Sequence, residues 1–304
     1  MRGLGVASTV LILLVGVSGC GGSDDGPDPR PTASETPPAG TVIDRSTDLA
    51  ALEQTHDVRL GVYALDTGSG DTVEHRADER FAFASTFKAL LVGALLEQES
   101  TTVLEQELPI SADDLVAYAP AVEEALAQGR TAMTVAELAD GAVRFSDNAA
   151  ANLLLGLVGG PPGLQEALRA TGDDVTNATR EEPELNEAVP GDERDTTTPR
   201  AMATTLQHYT LGDADSDARD VLVDLMRRNT TGDALIRAGV PAGWEVADKT
   251  GSASYGTRND IAIVWPPNGA PIVVAIMTSR DAQDADTVDA AIAEAMAIVA
   301  EALS

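Results

Sequence analysis

The chain has 304 residues, a formal net charge of −29, and 43% hydrophobic residues of which few are aromatic, so its core is aliphatic and its surface strongly acidic. Such a surface repels phosphate backbones and anionic lipid head groups alike, which excludes nucleic acid as a partner. One cysteine, Cys20, rules out an intrachain disulfide and a thiolate metal cluster, and His56, His75 and His208 are scattered without ligand spacing, so neither a metal nor another cofactor is expected.

In chain order, residues 4–17 form an apolar stretch behind Arg2, too short to span a bilayer and of the right size for a signal-peptide core. Val17-Ser18-Gly19-Cys20 resembles a bacterial lipobox, which implies a signal peptide over residues 1–20, cleavage before Cys20 and lipidation of its thiol. That implies export and a lipid anchor on the outer face of the cytoplasmic membrane, the only membrane contact expected. Residues 21–46 are rich in Pro, Gly and Asp and read as a disordered tether.

Alternation over residues 58–64, the Gly68-Ser69-Gly70 turn and residues 72–75 predict a hairpin. The middle is helical in pattern, over residues 86–98, 134–144, 148–158, 162–170, 198–209 and 216–228. Residues 244–249, 260–265 and 271–278 read as three further strands, broken at Tyr255-Gly256 and at Pro266-Pro267-Asn268-Gly269, and residues 287–303 as a long closing helix. Strands at both ends with helices between predict an α/β (α+β) fold. Residues 47–76 and 227–304 supply a five-stranded, largely antiparallel sheet with flanking helices, and residues 77–226 an inserted all-α domain. A monomer is expected.

The chemistry-bearing residues stand out through the scarcity of lysine. Two lysines occur against eighteen arginines, and each lies in a short motif: Ser85-Thr86-Phe87-Lys88 and Lys249-Thr250-Gly251. Arginine cannot lose its proton in a protein, so lysine is kept where a compact or titratable ammonium is needed. Ser85 and Lys88, three apart at a helix start, share a face, and Ser85 sits where the helix dipole and free amides favour an oxyanion. Taken singly, each motif has a plainer reading. Ser85 could be an N-cap, and so could Ser146 or Asp147 in Ser146-Asp147-Asn148. Glu182-Pro183-Glu184-Leu185-Asn186 could be an ordinary acidic loop, and Lys249 an edge lysine. Their order and separation along one chain favour a single site.

With those motifs, and with the runs Ser146 to Asn152, Glu182 to Pro190, Asp192 to Thr197 and Tyr255 to Asp260, the chain resembles a class A serine β-lactamase from about residue 47 to its end. The resemblance implies a small-molecule β-lactam substrate, opened by Ser85 to an acyl-enzyme. The backbone amides of Ser85 and Ser252 would form the oxyanion hole, and Lys88 and Glu182 are both candidates for the acylation base. Glu182 with Asn186 would activate the deacylating water, and Ser146, helped by Lys249, would pass a proton to the leaving nitrogen. Lys249, Thr250, Gly251, Ser252 and Arg258 would line the substrate-carboxylate site. Asn148 would meet the acylamide side chain, Tyr118 would flank the ring, and Arg180 with Asp195 would close the loop that carries Glu182.

Three departures accompany the likeness. Glu181 stands where members often carry an aromatic residue, so loop packing is expected to differ. Ala84 and Ala253 replace the cysteines of disulfide-bridged carbapenemases, and Ser252 is compatible with cephalosporin turnover alongside penicillins. A penicillin-sensitive D,D-peptidase and a tethered β-lactam-binding protein without turnover remain as alternatives, the first disfavoured by the Glu182 and Asn186 pair.

Overall fold

The computed structural model describes residues 40–212 and 215–304; Cys20, the apolar leader and nearly all of the tether lie outside the described residues. The described residues fold as one compact unit. The fold begins ahead of residue 46: Ile43 N donates to Thr72 O at 2.7 Å and Thr72 N to Thr41 O at 2.9 Å, so the end of the predicted tether runs beside a strand.

Five strands make the main sheet: β1 (Arg59–Asp66), β2 (Thr72–His75), β7 (Glu245–Ala253), β8 (Thr257–Trp265) and β9 (Ile272–Ser279), after the short pieces β3 (Phe81–Ala82), β4 (Glu107–Pro109), β5 (Ala132–Thr134) and β6 (Thr196–Thr197). Their spatial order is β2-β1-β9-β8-β7, every neighbouring pair antiparallel, which leaves β7 at an edge. β3 pairs with β6, and β4 with β5, outside this sheet.

Side-chain alternation sorts the sheet into two faces. On β9, Ile272, Val274 and Ile276 join one hydrophobic cluster while Val273, Ala275 and Met277 join the other; on β8, Ala262 and Val264 oppose Ile261 and Ile263 in the same way. The first cluster is closed by α1 (Ser46–His56) and α10 (Asp289–Ala302), with α9 (Ile236–Gly239) at its margin. The second is continuous with the helical part: α2 (Phe87–Glu99), α3 (Pro120–Ala127), α4 (Val135–Arg144), α5 (Asn148–Leu157), α6 (Gly160–Ala170), α7 (Pro199–Leu211) and α8 (Ser216–Arg227).

α2 is the axis of that part, buried from Phe87 to Leu96. Gly93 lets α7 approach: a Cβ there would lie 2.5 Å from the Tyr209 ring. The predicted helices and the strands of the sheet are all present. Three helices, α1, α3 and the single turn α9, carried no prediction. The strand predicted to stop at Lys249 continues to Ala253, so Lys249, Thr250, Gly251 and Ser252 all lie on edge strand β7.

Candidate active site

Four pieces of chain meet at one end of β7. A 3-10 turn, Ala84–Thr86, leads into α2, and Ala84 takes a left-handed φ of 47° to aim Ser85 away from the helix. Asn259 on β8 fixes this turn by donating from Nδ2 to Ala82 O at 2.8 Å and Phe83 O at 3.1 Å. β7 approaches it closely, since a Cβ on Gly251 would come within 3.0 Å of Phe83 O and 3.2 Å of Ser85 N. Ser85 is not an N-cap: its hydroxyl donates across the site to Glu182 Oε1 at 3.1 Å.

The second piece is the turn between α4 and α5. Asp147 is the N-cap of α5, accepting from Ala150 N at 2.8 Å, and its other oxygen accepts from Ala121 N at 2.7 Å and Val122 N at 3.1 Å. That leaves Ser146, at φ 60°, and Asn148 to face the site. Asn148 Nδ2 donates to Ala117 O at 2.7 Å. Tyr118, held at φ 65° and 61% exposed, stands at the rim.

The third piece is the loop between α6 and α7. Asp195, fully buried, accepts from Thr179 N and Arg180 N and from the Arg180 guanidinium, which also reaches Glu187. Asn152 on α5 clasps the loop from the other side, donating to Glu182 O at 2.8 Å while its Oδ1 accepts from Glu182 N at 3.0 Å. Glu181 is exposed, and the loop is packed instead through Leu185, which is buried. Asn186 Nδ2 donates to Glu182 Oε2.

At the centre, Lys88 Nζ lies 3.0 Å from Glu182 Oε1 and donates to Ser146 O at 2.8 Å and Asn148 Oδ1 at 2.5 Å. Ser85 and Lys88 therefore meet at one glutamate oxygen, with both charged side chains fully buried. Burial pushes the Lys88 ammonium below its ordinary range, and the Glu182 carboxylate opposes that shift. Lys249 Nζ donates to Ser146 Oγ at 3.0 Å and to Thr250 O at 2.8 Å. Burial, with Lys88 nearby as a second cation, lowers Lys249 to about 7.

Beyond Lys249, the Thr250 and Thr231 hydroxyls are 2.6 Å apart, and Arg258 donates to Ser252 Oγ at 2.8 Å while Asp289 holds its Nε at 2.7 Å. Beneath the strand, Arg237 pairs with buried Asp248, and burial beside Asp248 raises Asp260 well above the usual carboxylate range.

Every residue singled out for the site within the described residues lies in this cluster. Asn152, Asn259 and Thr231 were not foreseen in these supporting roles, and of the two roles of Asp147 only the N-cap was. Asn152 had one signal, its spacing of a helical turn from Asn148 on α5. The three histidines sit elsewhere, beside Glu294, Glu53 and Glu97.

Comparison with known proteins bears on all four pieces at once. The chain matches the Beta-lactamase enzyme family over residues 44–303. It is 51% identical over 299 residues to a β-lactamase of Bacillus licheniformis, covering 98% of this chain and 94% of that protein. A β-lactamase of Amycolatopsis lactamdurans is 54% identical over 274 residues, 90% of this chain and 89% of its own. Among solved structures, a halotolerant bacterial β-lactamase superposes with a TM-score of 0.81 at 54% identity, covering 84% of this chain and 98% of that one. A class A β-lactamase from Clostridium kluyveri gives 0.82 at 47%, with 84% and 97% covered. A family match over residues 44–303, with relatives at about half identity over most of the chain, places the chain in the β-lactamase enzyme family, among its class A members.

Proposed function

We propose that this enzyme opens β-lactams, penicillins and cephalosporins among them, by an acyl-enzyme route with the following division of roles. Ser85 Oγ attacks the lactam carbonyl as its proton passes to Glu182, and the developing oxyanion is held by the amides of Ser85 and Ser252. The carbon–nitrogen bond breaks as Ser146, backed by Lys249, delivers a proton to the ring nitrogen, and the proton held by Glu182 passes by way of Lys88 to replace it, leaving an ester on Ser85 and Glu182 again a carboxylate. Glu182 then deprotonates a water that attacks the ester, and that proton returns from Glu182 to Ser85 Oγ as the ring-opened acid leaves.

One observation carries this reading: Glu182 Oε1 receives Ser85 Oγ at 3.1 Å and Lys88 Nζ at 3.0 Å inside a fully buried site. Lys88 directs its ammonium at three acceptors, Glu182, Ser146 O and Asn148 Oδ1, so it is poised as a donor, and Glu182 is favoured as the base for acylation. Asn186 Oδ1 is buried with no hydrogen-bond partner among the described residues and offers an acceptor to the water that Glu182 activates. Lys249, Thr250, Gly251, Ser252 and Arg258 form the carboxylate site, Asn148 meets the acylamide, and Tyr118 covers the ring. Arg180 and Asp195 hold the loop. The cleft lies between the inserted helices, residues 77–226, and the sheet part, residues 47–76 and 227–304.

Glu182→Ala tests the assignment. With a chromogenic cephalosporin, kcat falls by about 10²–10⁴-fold, and intact-mass spectrometry finds a persistent adduct on Ser85. Undiminished turnover, or an adduct elsewhere, overturns it; a long-lived adduct in the unmutated enzyme points to the peptidase instead.

The enzyme acts as an exported monomer tethered to the outer face of the cytoplasmic membrane through lipidated Cys20. Support comes from the lipobox-like run, and among the described residues no helix is long and apolar enough to cross a membrane. Mass spectrometry of the native amino terminus should find a diacylated Cys20; an unmodified thiol removes the anchor.

A further inference from the structure

A second cavity, of about 880 Å³, opens among α3, α4 and α8 and shares no residue with the catalytic cluster. Its volume is that of a small-molecule site. The inner wall is apolar, with Met133 and Leu225 nearly buried and Phe145 half-buried.

Its rim carries four carboxylates, Glu124, Glu137, Asp140 and Asp224, against two guanidiniums, Arg130 and Arg228. Both guanidiniums are engaged: Arg130 by the two oxygens of Glu137 at 2.7 and 2.6 Å, and Arg228 by Asp224 at 2.7 Å and Asp140 at 3.0 Å; Asp140 is also held by Arg144, behind the cavity lining, at 3.0 and 2.9 Å, so the unbalanced negative charge of the rim rests on Glu124. Glu124 has no cationic partner among the described residues and meets only the Gln128 amide, at 2.6 Å. An apolar recess under a net-negative rim complements an organic cation with an apolar body, and repels the anionic substrates of the catalytic site.

The inner wall is also the back of the turn that presents Ser146. Pro120 and Ala121 line the cavity, and the amides of Ala121 and Val122 donate to Asp147. Gly141, another wall residue, accepts from Phe145 N at 3.2 Å and Asp147 N at 3.0 Å. A body wedged between α3 and α4 thus presses on the hydrogen bonds that fix the residues either side of Ser146.

We propose that this cavity is a regulatory site for a small amphiphilic organic cation, an aryl- or alkylammonium, whose occupancy alters turnover through the Ser146 turn. The regulatory part rests on the role assigned above to Ser146; the binding part does not.

The test titrates the isotope-labelled intact chain with benzyltrimethylammonium and, in parallel, with its neutral isostere neopentylbenzene and the anion phenylmethanesulfonate. Saturable amide shifts at Ala139, Gly141 and Phe145 are expected with the cation, and Glu124→Gln, a surface change, should weaken it about two- to fivefold. At saturation kcat/KM for a chromogenic cephalosporin should change at least about twofold, and Ala136→Trp, which fills the cavity from an exposed helix position, should remove that response. Shifts confined to the surroundings of Ser85 and Lys249, equal binding of the neutral isostere, or an affinity unmoved by Glu124→Gln would overturn the site. Unchanged turnover with the cavity occupied would overturn its regulatory role. The amide shifts are read without catalysis, so a failure here is distinguishable from a wrong assignment of Ser85.

Discussion

In the carboxylate-binding role proposed for it, Lys249 couples binding to pH. Its ammonium, lowered to about 7 by burial and by Lys88, loses its proton as pH rises through that value, and with it goes the attraction for a substrate carboxylate that the proposal assigns to it. KM for an anionic β-lactam is therefore expected to rise above pH 7, whereas in Lys249→Arg, whose guanidinium stays charged, KM should stay flat from pH 6 to 9 even if kcat is reduced. Steady-state kinetics across that range decides it; a parallel rise in both enzymes would remove Lys249 as the titrating group. The sign for stability is the reverse. Between about 7 and the ordinary 10.5 the folded state binds fewer protons than the unfolded chain, so the penalty from burying this cation is full below that window and relaxes as pH rises. At this scale the side chains that meet in the cluster were legible because lysine is so rare and each motif pairs unlike chemical groups at fixed spacing. Their supports were not. Asn152 and Asn259 act on backbone amides and carbonyls, which any loop offers, so nothing in the local sequence marks the partner.

Among the elements, the turn between α4 and α5 concentrates most of the positioning in one carboxylate. Asp147 satisfies amides at the starts of both α3 and α5 while itself fully buried. Asp147→Ala should cost about 3 kcal/mol or more of unfolding free energy, because two helix starts lose a charged acceptor with no solvent to replace it. Urea unfolding measures this, and a loss under about 1 kcal/mol would show that the helices hold the turn without it. The same turn shows where sequence reading stops. Its N-cap was foreseen as one of two candidates, whereas α3, the helix it also caps, was missed. α3 buries only Val122 and Ala125, too little for a periodic pattern, and α1 buries only Leu49. β7 was expected to stop at Lys249; the places of Gly251 and Ser252 on the edge are fixed by pairing with Asn259 and Arg258 on β8, which the local sequence does not show.

Across the whole molecule, charge sets the terms. A net −29 on 304 residues gives a self-repulsion that acts against the compact state. Raising sodium chloride from 10 mM to 1 M shortens the screening length to about 3 Å, so stability should increase by about 1 kcal/mol, or roughly 2–4 °C in Tm. A Tm that holds or falls with salt would mean that local pairs such as Arg200 with Glu74 and Asp78 already dominate, since salt weakens those. The overall architecture was readable from strands at both ends and helices between. The placement of two hydrophobic clusters on opposite faces of the sheet emerged only once β8 and β9 were seen to be buried on both sides.

That both lysines lie at zero exposure has a chemical outcome on the outside of the molecule. The cations that meet solvent on the described surface are guanidiniums, which resist acylation at neutral pH, whereas amines are the groups that strained lactams and activated esters modify. The enzyme can thus sit in a high concentration of its own electrophilic substrate without accumulating haptens across its exterior, and amine-directed dyes or coupling resins find no lysine there to grip.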